Sequence, residues 1–270
     1  MPASKKSPAA RTSSNAAADR QFVTALGRGL AVLRCFDAMR TQLGTTEIAQ
    51  MTKLPQPTVW RLCYTLQQLG YLVQAPDSDK LRIGMAVLGL GQFALGSSNI
   101  GEMVLPELIQ IGKLTGAAVS LGVADQDDIL IVERAQGDGP LLVNMRIGSR
   151  LPMATSSAGW AYLGSLPAEA RDKQMQKLKY QYSGKWAALR SAVEAAVASL
   201  PELGYVLNEG FYHPDVNAVG APAFDKQGKP QYVVSCGGPN LKIKFLRDDI
   251  GPRIARLGRK ITVALAGRPG

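Results

Sequence analysis

Residue types that perform most enzymatic and metal chemistry are sparse in this chain. Its 270 residues include one histidine, His213, and three cysteines, Cys35, Cys63 and Cys236. No CxxC or HExxH spacing occurs, so no Cys/His metal site is expected. A Ser-His-Asp triad would have to use His213, which sits in the turn-like run Tyr212-His213-Pro214-Asp215. Ser156 or Ser157 could act as a nucleophile and Glu209 or Asp215 as an acid or base, but none has a partner at a recognisable spacing. The expectation is a protein that is not an enzyme and needs no metal or cofactor. Three cysteines, an odd number within apolar segments, read as reduced core thiols of a cytoplasmic protein.

A different chemistry is better represented. The chain carries a formal charge of +10 and a pI near 9.6, which suits an anionic partner, nucleic acid before membrane surface. The excess is +6 over residues 1–84 and only +4 over 85–270, a stretch more than twice as long. Residues 57–69 place Val59, Leu62, Cys63, Leu66 and Leu69 on one helical side. Opposite them fall Trp60, Arg61, Tyr64, Gln67 and Gln68, with Gln56, Pro57 and Thr58 at the start. Such a face can reach base edges and phosphates from within a major groove.

The elements around that face fit this use. Leu26, Leu30, Leu33 and Phe36 predict an amphipathic helix over 24–39. Gly44 breaks it, and Thr45 or Thr46 can cap a short helix over 47–51 with Glu47 in its first turn. Lys53-Leu54-Pro55 leads into the helix over 57–69, Pro57 suits its first turn, and Gly70 stops it. Two short β-prone runs, 71–73 and 81–83, flank the turn-rich 75–79 and predict a hairpin carrying Lys80 and Arg82. Three helices and a hairpin are the order of a winged helix-turn-helix, although a small helical subdomain with a solvated face has the same order. Residues 1–20 read as a disordered basic tail without a targeting signal. The apolar stretch 85–95 is shorter than the ~20 residues that cross a bilayer.

Beyond residue 99 the pattern is α+β with a mostly antiparallel sheet. Helices are expected over 101–115, 156–164, 168–178 and 185–200, and a last one opening at Pro239 or Asn240. Strands are expected over 117–124, 129–135, 141–145, 205–208, 218–224 and 231–236. Three segments, 151–162, 204–225 and 233–239, combine small and hydroxyl residues suited to a pocket. The first would aim helix N-terminal N–H groups at an anion.

The run "TTEIAQMTKLPQPTVWRLCYTLQQLGYL" resembles the helix-turn-helix and wing of IclR-type transcriptional regulators, and the resemblance extends over about residues 22–266. It implies a winged helix-turn-helix over 21–84, a linker helix over 85–98 and a GAF-like effector-binding α/β domain over 99–270. The implied partners are double-stranded operator DNA, a small carboxylate effector and further copies of the chain in a homodimer or homotetramer, with no membrane. Arg28, Lys80 and Arg82 would hold phosphate, and Gln56, Thr58, Trp60 and Arg61 would specify sequence. In the effector site, Ser156, Ser157, Ala158 and Gly159 open a helix whose N–H groups meet the anion. Asn208, Ala218, Ser235 and Gly237 take the polar-contact positions, and Val143 and Leu151 the apolar side. The sequence departs from the family pattern with Ala154 for His, Trp160 for Lys, Asn208 for Asp, Phe211 for Glu, Ala218 for Cys and Gly237 for Ser. These changes suggest a larger, more apolar pocket for an aromatic or longer acid, walled by Trp160, Phe211 or Tyr162, unless those aromatics belong to the core or the dimer contact. The alternative functions are a ligand-sensing protein-interaction module and a small-molecule hydrolase.

Overall fold

A computed structural model describes residues 21–37, 40–96, 99–139 and 145–267. The expected N-terminal tail, and all but Met145 of the expected strand over 141–145, lie outside these. The described residues fall into two compact units that divide between Ala94 and Leu95.

In the first unit, α1 (Thr24–Leu33), α2 (Thr45–Thr52) and α3 (Gln56–Gln68) precede an antiparallel hairpin of β1 (Leu72–Gln74) and β2 (Leu81–Ile83). Leu43 adds a bridge to Leu81, with both backbone N–H groups donating at 2.9 Å. Val32, Ile48, Val59, Cys63, Leu72 and Leu81 form a common core. Burying these side chains is the main source of stability for helices this short, which are marginal alone. Gly70 ends α3 with φ +75, a conformation that glycine adopts without strain.

Two expectations need correction here. The first helix stops at Leu33, and it buries Val32 while Leu26 and Leu30 stay exposed. Neither Thr45 nor Thr46 caps α2. Instead the Glu47 carboxylate reaches back to the Gly44 N–H at 2.7 Å. The helix α4 (Ala86–Gly96) buries none of its residues, and Leu88, Leu90 and Phe93 are exposed.

The second unit is built on one six-stranded antiparallel sheet of order β5-β4-β3-β8-β7-β6. Its strands are β3 (Ala118–Asp125), β4 (Asp128–Gln136), β5 (Arg150–Pro152), β6 (Val206–Glu209), β7 (Val216–Phe224) and β8 (Pro230–Pro239). Alternation along a strand sends successive side chains to opposite faces. Val119, Leu121, Ala135, Val219, Ala221, Val234 and Cys236 face one side, where α5 (Ile100–Thr115) and α10 (Gly251–Ala266) cover them. On the other side, α6 (Ser157–Ser165), α7 (Ala168–Gln181) and α8 (Trp186–Leu203) build a second core on Ile129, Val206 and Val233.

The last helix does not open at Pro239 or Asn240, because Pro239 ends β8. Helical structure begins with α9 (Ile243–Phe245), passes through a π turn at Leu246–Ile250 and continues as α10. The Tyr205 ring lies against Gly251 where a Cβ would stand 2.5 Å from it, and its hydroxyl donates to the Arg247 carbonyl at 2.7 Å.

Candidate functional sites

In the first unit the exposed residues of α3 are Gln56, Pro57, Trp60, Arg61, Tyr64, Thr65 and Gln68, a single stripe opposite buried Val59 and Cys63. Trp60 and Tyr64 are 59% and 52% exposed. Their rings stack 5.7 Å apart at 12°, one turn from each other. Thr58 is half-buried and Gln67 partly so. The Gln56 amide donates to the Thr46 hydroxyl at 2.9 Å, which ties the start of α3 to α2.

The cations differ among themselves. Arg28 on α1, Arg61 on α3 and Arg82 on the hairpin are exposed, and no carboxylate pairs with them among the described residues. Lys80, by contrast, is paired with Glu47 at 3.2 Å. That pair joins the hairpin to the capping carboxylate of α2, so Lys80 is not a bare phosphate ligand.

The second unit holds a cleft of about 90 Å³ over the half of the sheet that α6 leaves open. Two cross-strand rows pass beneath it, and their Arg134, Ser120, Ser235, Gln136, Ala118, Gly237 and Ala218 line it. One row runs Arg134, Ser120, Ser235 and Gly220 across β4, β3, β8 and β7. The next runs Gln136, Ala118, Gly237, Ala218 and Asn208. The Arg134 guanidinium donates to Ser120 at 3.3 Å and to Gln136 at 2.9 Å. Among the described residues no carboxylate faces it. Burial pushes its pKa down and the nearby Tyr212 opposes that, while burial pushes the Tyr212 phenol up. A half-buried cation without a counter-ion is an anion-binding feature.

At the cleft mouth α6 begins. Ser156 caps it by accepting from the Gly159 N–H at 3.1 Å. The Ser157 and Ala158 N–H groups have no partner among the described residues. The positive end of the helix is therefore open there.

Leu151, Ser156, Ser157, Ala218, Ser235 and Gly237 line the cleft. Val143 lies outside the described residues. Ala158, Gly159, Trp160 and Asn208 do not line it. Gly159 packs so closely that a Cβ would stand 2.1 Å from the Met153 carbonyl. Asn208 is fully buried, donates to the Thr155 carbonyl at 2.9 Å and accepts from the Phe211 N–H at 3.2 Å. It pins the loop before α6.

The aromatic wall is also corrected. Trp160 is buried, donates to the Ala154 carbonyl at 2.7 Å and packs against Phe211 with ring centres 5.1 Å apart. Tyr162 packs on the same core. The aromatic residue at the cleft is Tyr212. Arg134, Ser120, Gln136 and Tyr212 were missed by sequence reasoning. The available signal was Arg134 and Gln136 two apart on a strand, which also describes an ordinary solvated face.

His213 lies in an exposed turn, where its Nδ1 accepts from the Asp215 N–H at 3.3 Å. The three cysteines are buried free thiols. Burial pushes the Cys63 thiol up to about 11 and the Cys236 thiol up to about 12. Among the described residues, no cluster of three or more His, Cys, Asp or Glu side chains could hold a metal ion, and no helix is long and apolar enough to cross a membrane.

An exposed, cationic helix-turn-helix and an α/β unit with a cleft, carried on one chain, are the two parts of a DNA-binding regulator with a ligand-binding domain. Residues 25–76 match the IclR helix-turn-helix domain, and residues 92–263 match the family described as bacterial transcriptional regulator IclR C-terminal. The chain belongs to the IclR family. It is 29% identical over 253 residues to the HTH-type transcriptional regulator TsaQ1/TsaQ2 of Comamonas testosteroni, covering 92% of this chain and 91% of that one. An IclR family regulator from Brucella abortus has a crystal structure that matches with a TM-score of 0.83 at 38% identity, covering 91% of this chain and 94% of the other. An IclR homolog from Microbacterium hydrocarbonoxydans, crystallised with 4-hydroxybenzoate, shares the fold at 21% identity and a TM-score of 0.69, covering 90% and 100%.

Proposed function

We propose that this regulator binds operator DNA through the exposed stripe of α3 and that a small organic acid in the cleft of the second unit changes its affinity for that DNA. What carries the sensing half is Arg134, a half-buried guanidinium with hydroxyl and amide partners and no carboxylate among the described residues. A ligand carboxylate supplies the missing counter-charge, and the open N–H groups of α6 supply a second positive pole. The same two groups suit a carboxylate better than a neutral molecule. Tyr212 and Leu151 give the cleft an aromatic and an aliphatic side. A single aromatic ring bearing a carboxylate is compatible with this lining. The Microbacterium protein, which shares the fold, was crystallised with such an acid.

The DNA half uses Arg61 for base edges and Arg28 and Arg82 for phosphate. Reading two half-sites needs two copies. Exposed Phe22, Val23, Leu26 and Leu30 near α1, and Met85, Leu88, Leu90 and Phe93 along α4, offer apolar surface for a second copy of the chain.

The test is a thermal-shift panel of short keto acids and hydroxybenzoates on the wild type and Arg134→Gln. At least one acid stabilises the wild type, and the variant loses most of that shift. No response to any acid, or equal responses in both proteins, contradicts the proposal.

A further inference from the structure

The stacked rings of Trp60 and Tyr64 point to a specific reading of DNA, and we infer that this pair recognises thymine by its methyl group. The inference rests on the proposal that α3 enters a major groove. Both residues are more than half exposed and stand on the same stripe as Arg61. Neither ring serves the core of the unit, which is closed by Val59 and Cys63 on the opposite side of α3. Their near-parallel stacking, 12° apart, holds two rings as one ledge along the helix. Stacked rings lose little freedom on binding, so the ledge is prepared for contact.

Such a ledge has few possible uses in a major groove. Base edges there present hydrogen-bonding groups, with one apolar exception, the C5-methyl of thymine. The ring faces, as distinct from the indole N–H and phenol O–H at their rims, would strip water from the polar edges of guanine, cytosine or adenine without replacing it. Against thymine it covers a methyl group instead. Arg61, next to Trp60 in the chain, prefers the guanine O6 and N7 pair. The helix therefore selects a half-site in which one or two thymines neighbour a guanine.

Duplexes enriched by full-length protein from a random pool provide the probe. Each is resynthesised with uracil in place of every thymine, which removes the methyl groups and keeps the pairing. Wild type binds the uracil duplex about fourfold more weakly for each methyl group covered. The Trp60→Ala/Tyr64→Ala variant, whose changes are at exposed positions, binds both duplexes equally. Equal binding of the two duplexes by wild type overturns the inference and leaves the DNA-binding proposal intact. A uracil penalty that persists in the variant also overturns it, since the penalty then comes from duplex stiffness or other residues. If no sequence is enriched at all, the DNA-binding proposal fails and the inference falls with it.

Discussion

Gly220 on β7 lies directly beneath the carbonyl of Ser157, so that a Cβ at position 220 would stand 2.5 Å from that oxygen. This contact sets how closely the open end of α6 approaches the sheet. It also places the N–H groups of Ser157 and Ala158 beside the row that holds Arg134. Gly220→Ala must lift the start of α6 or bend β7. The expected cost is about 1–3 kcal/mol in a urea titration. Acid binding falls with it, read as a smaller thermal shift at the same ligand concentration. Retained stability and retained acid response would show that α6 does not need this approach.

Trp160 gives a sharper stability prediction. Its indole is buried, donates to Ala154 and fills the space between α6 and Phe211. Trp160→Ala should destabilise the second unit by about 3–5 kcal/mol. Trp160→Phe, which keeps much of the volume but strands the Ala154 carbonyl, should cost less. Denaturant unfolding followed by circular dichroism measures both. A small loss for the alanine variant would return Trp160 to the list of ligand-facing residues.

The three types of cation in the first unit should separate in DNA titrations. Arg61→Ala weakens binding to a selected duplex by about 1–3 kcal/mol and relaxes preference at one base position. Arg82→Ala weakens binding to all duplexes alike and lowers the salt slope by about 1. Lys80→Ala has little effect on the slope, because Glu47 already neutralises Lys80. A full slope change for Lys80→Ala would mean that the pair opens on DNA.

Glu47 gives the first unit a pH signature. The Gly44 N–H, and then Lys80, hold its carboxyl below the usual value near 4.5. A depressed carboxylate contributes stability that is complete above the unfolded value and is lost as pH falls through the lower folded value. Wild type should therefore be more stable than Glu47→Gln near neutral pH. The two should converge in acid below 4.5. Parallel stability curves across that range would show that the cap contributes nothing.

Much of this molecule is written locally, and the rest depends on long-range pairing. The stripe of α3 and the hairpin follow from short-range periodicity and turn residues, so both were legible. The buried side of α1 was not, because Leu26 and Leu30 look the same whether they face their own core or stay exposed, while Val32 takes the interior place. Strand β5 is three residues ending in proline and leaves almost no pattern. The π turn at Leu246–Ile250, whose Arg247 carbonyl accepts from the Tyr205 hydroxyl, joins residues 42 apart in the chain. Arg134 comes to the cleft because register sets it beside Ser120 and in the same row as Ser235, on a face that α6 partly covers. No window of sequence contains that alignment.

The most direct measurement is the affinity of full-length protein for a selected duplex, at fixed salt, with and without an acid that stabilises the wild type. The acid should change wild-type affinity, and the duplex should change affinity for the acid by the same factor. Arg134→Gln should bind the duplex as wild type does without acid and should not respond when acid is added. An acid that leaves wild-type affinity unchanged, or shifts the variant as much as the wild type, would contradict the assignment of Arg134 as the sensing residue.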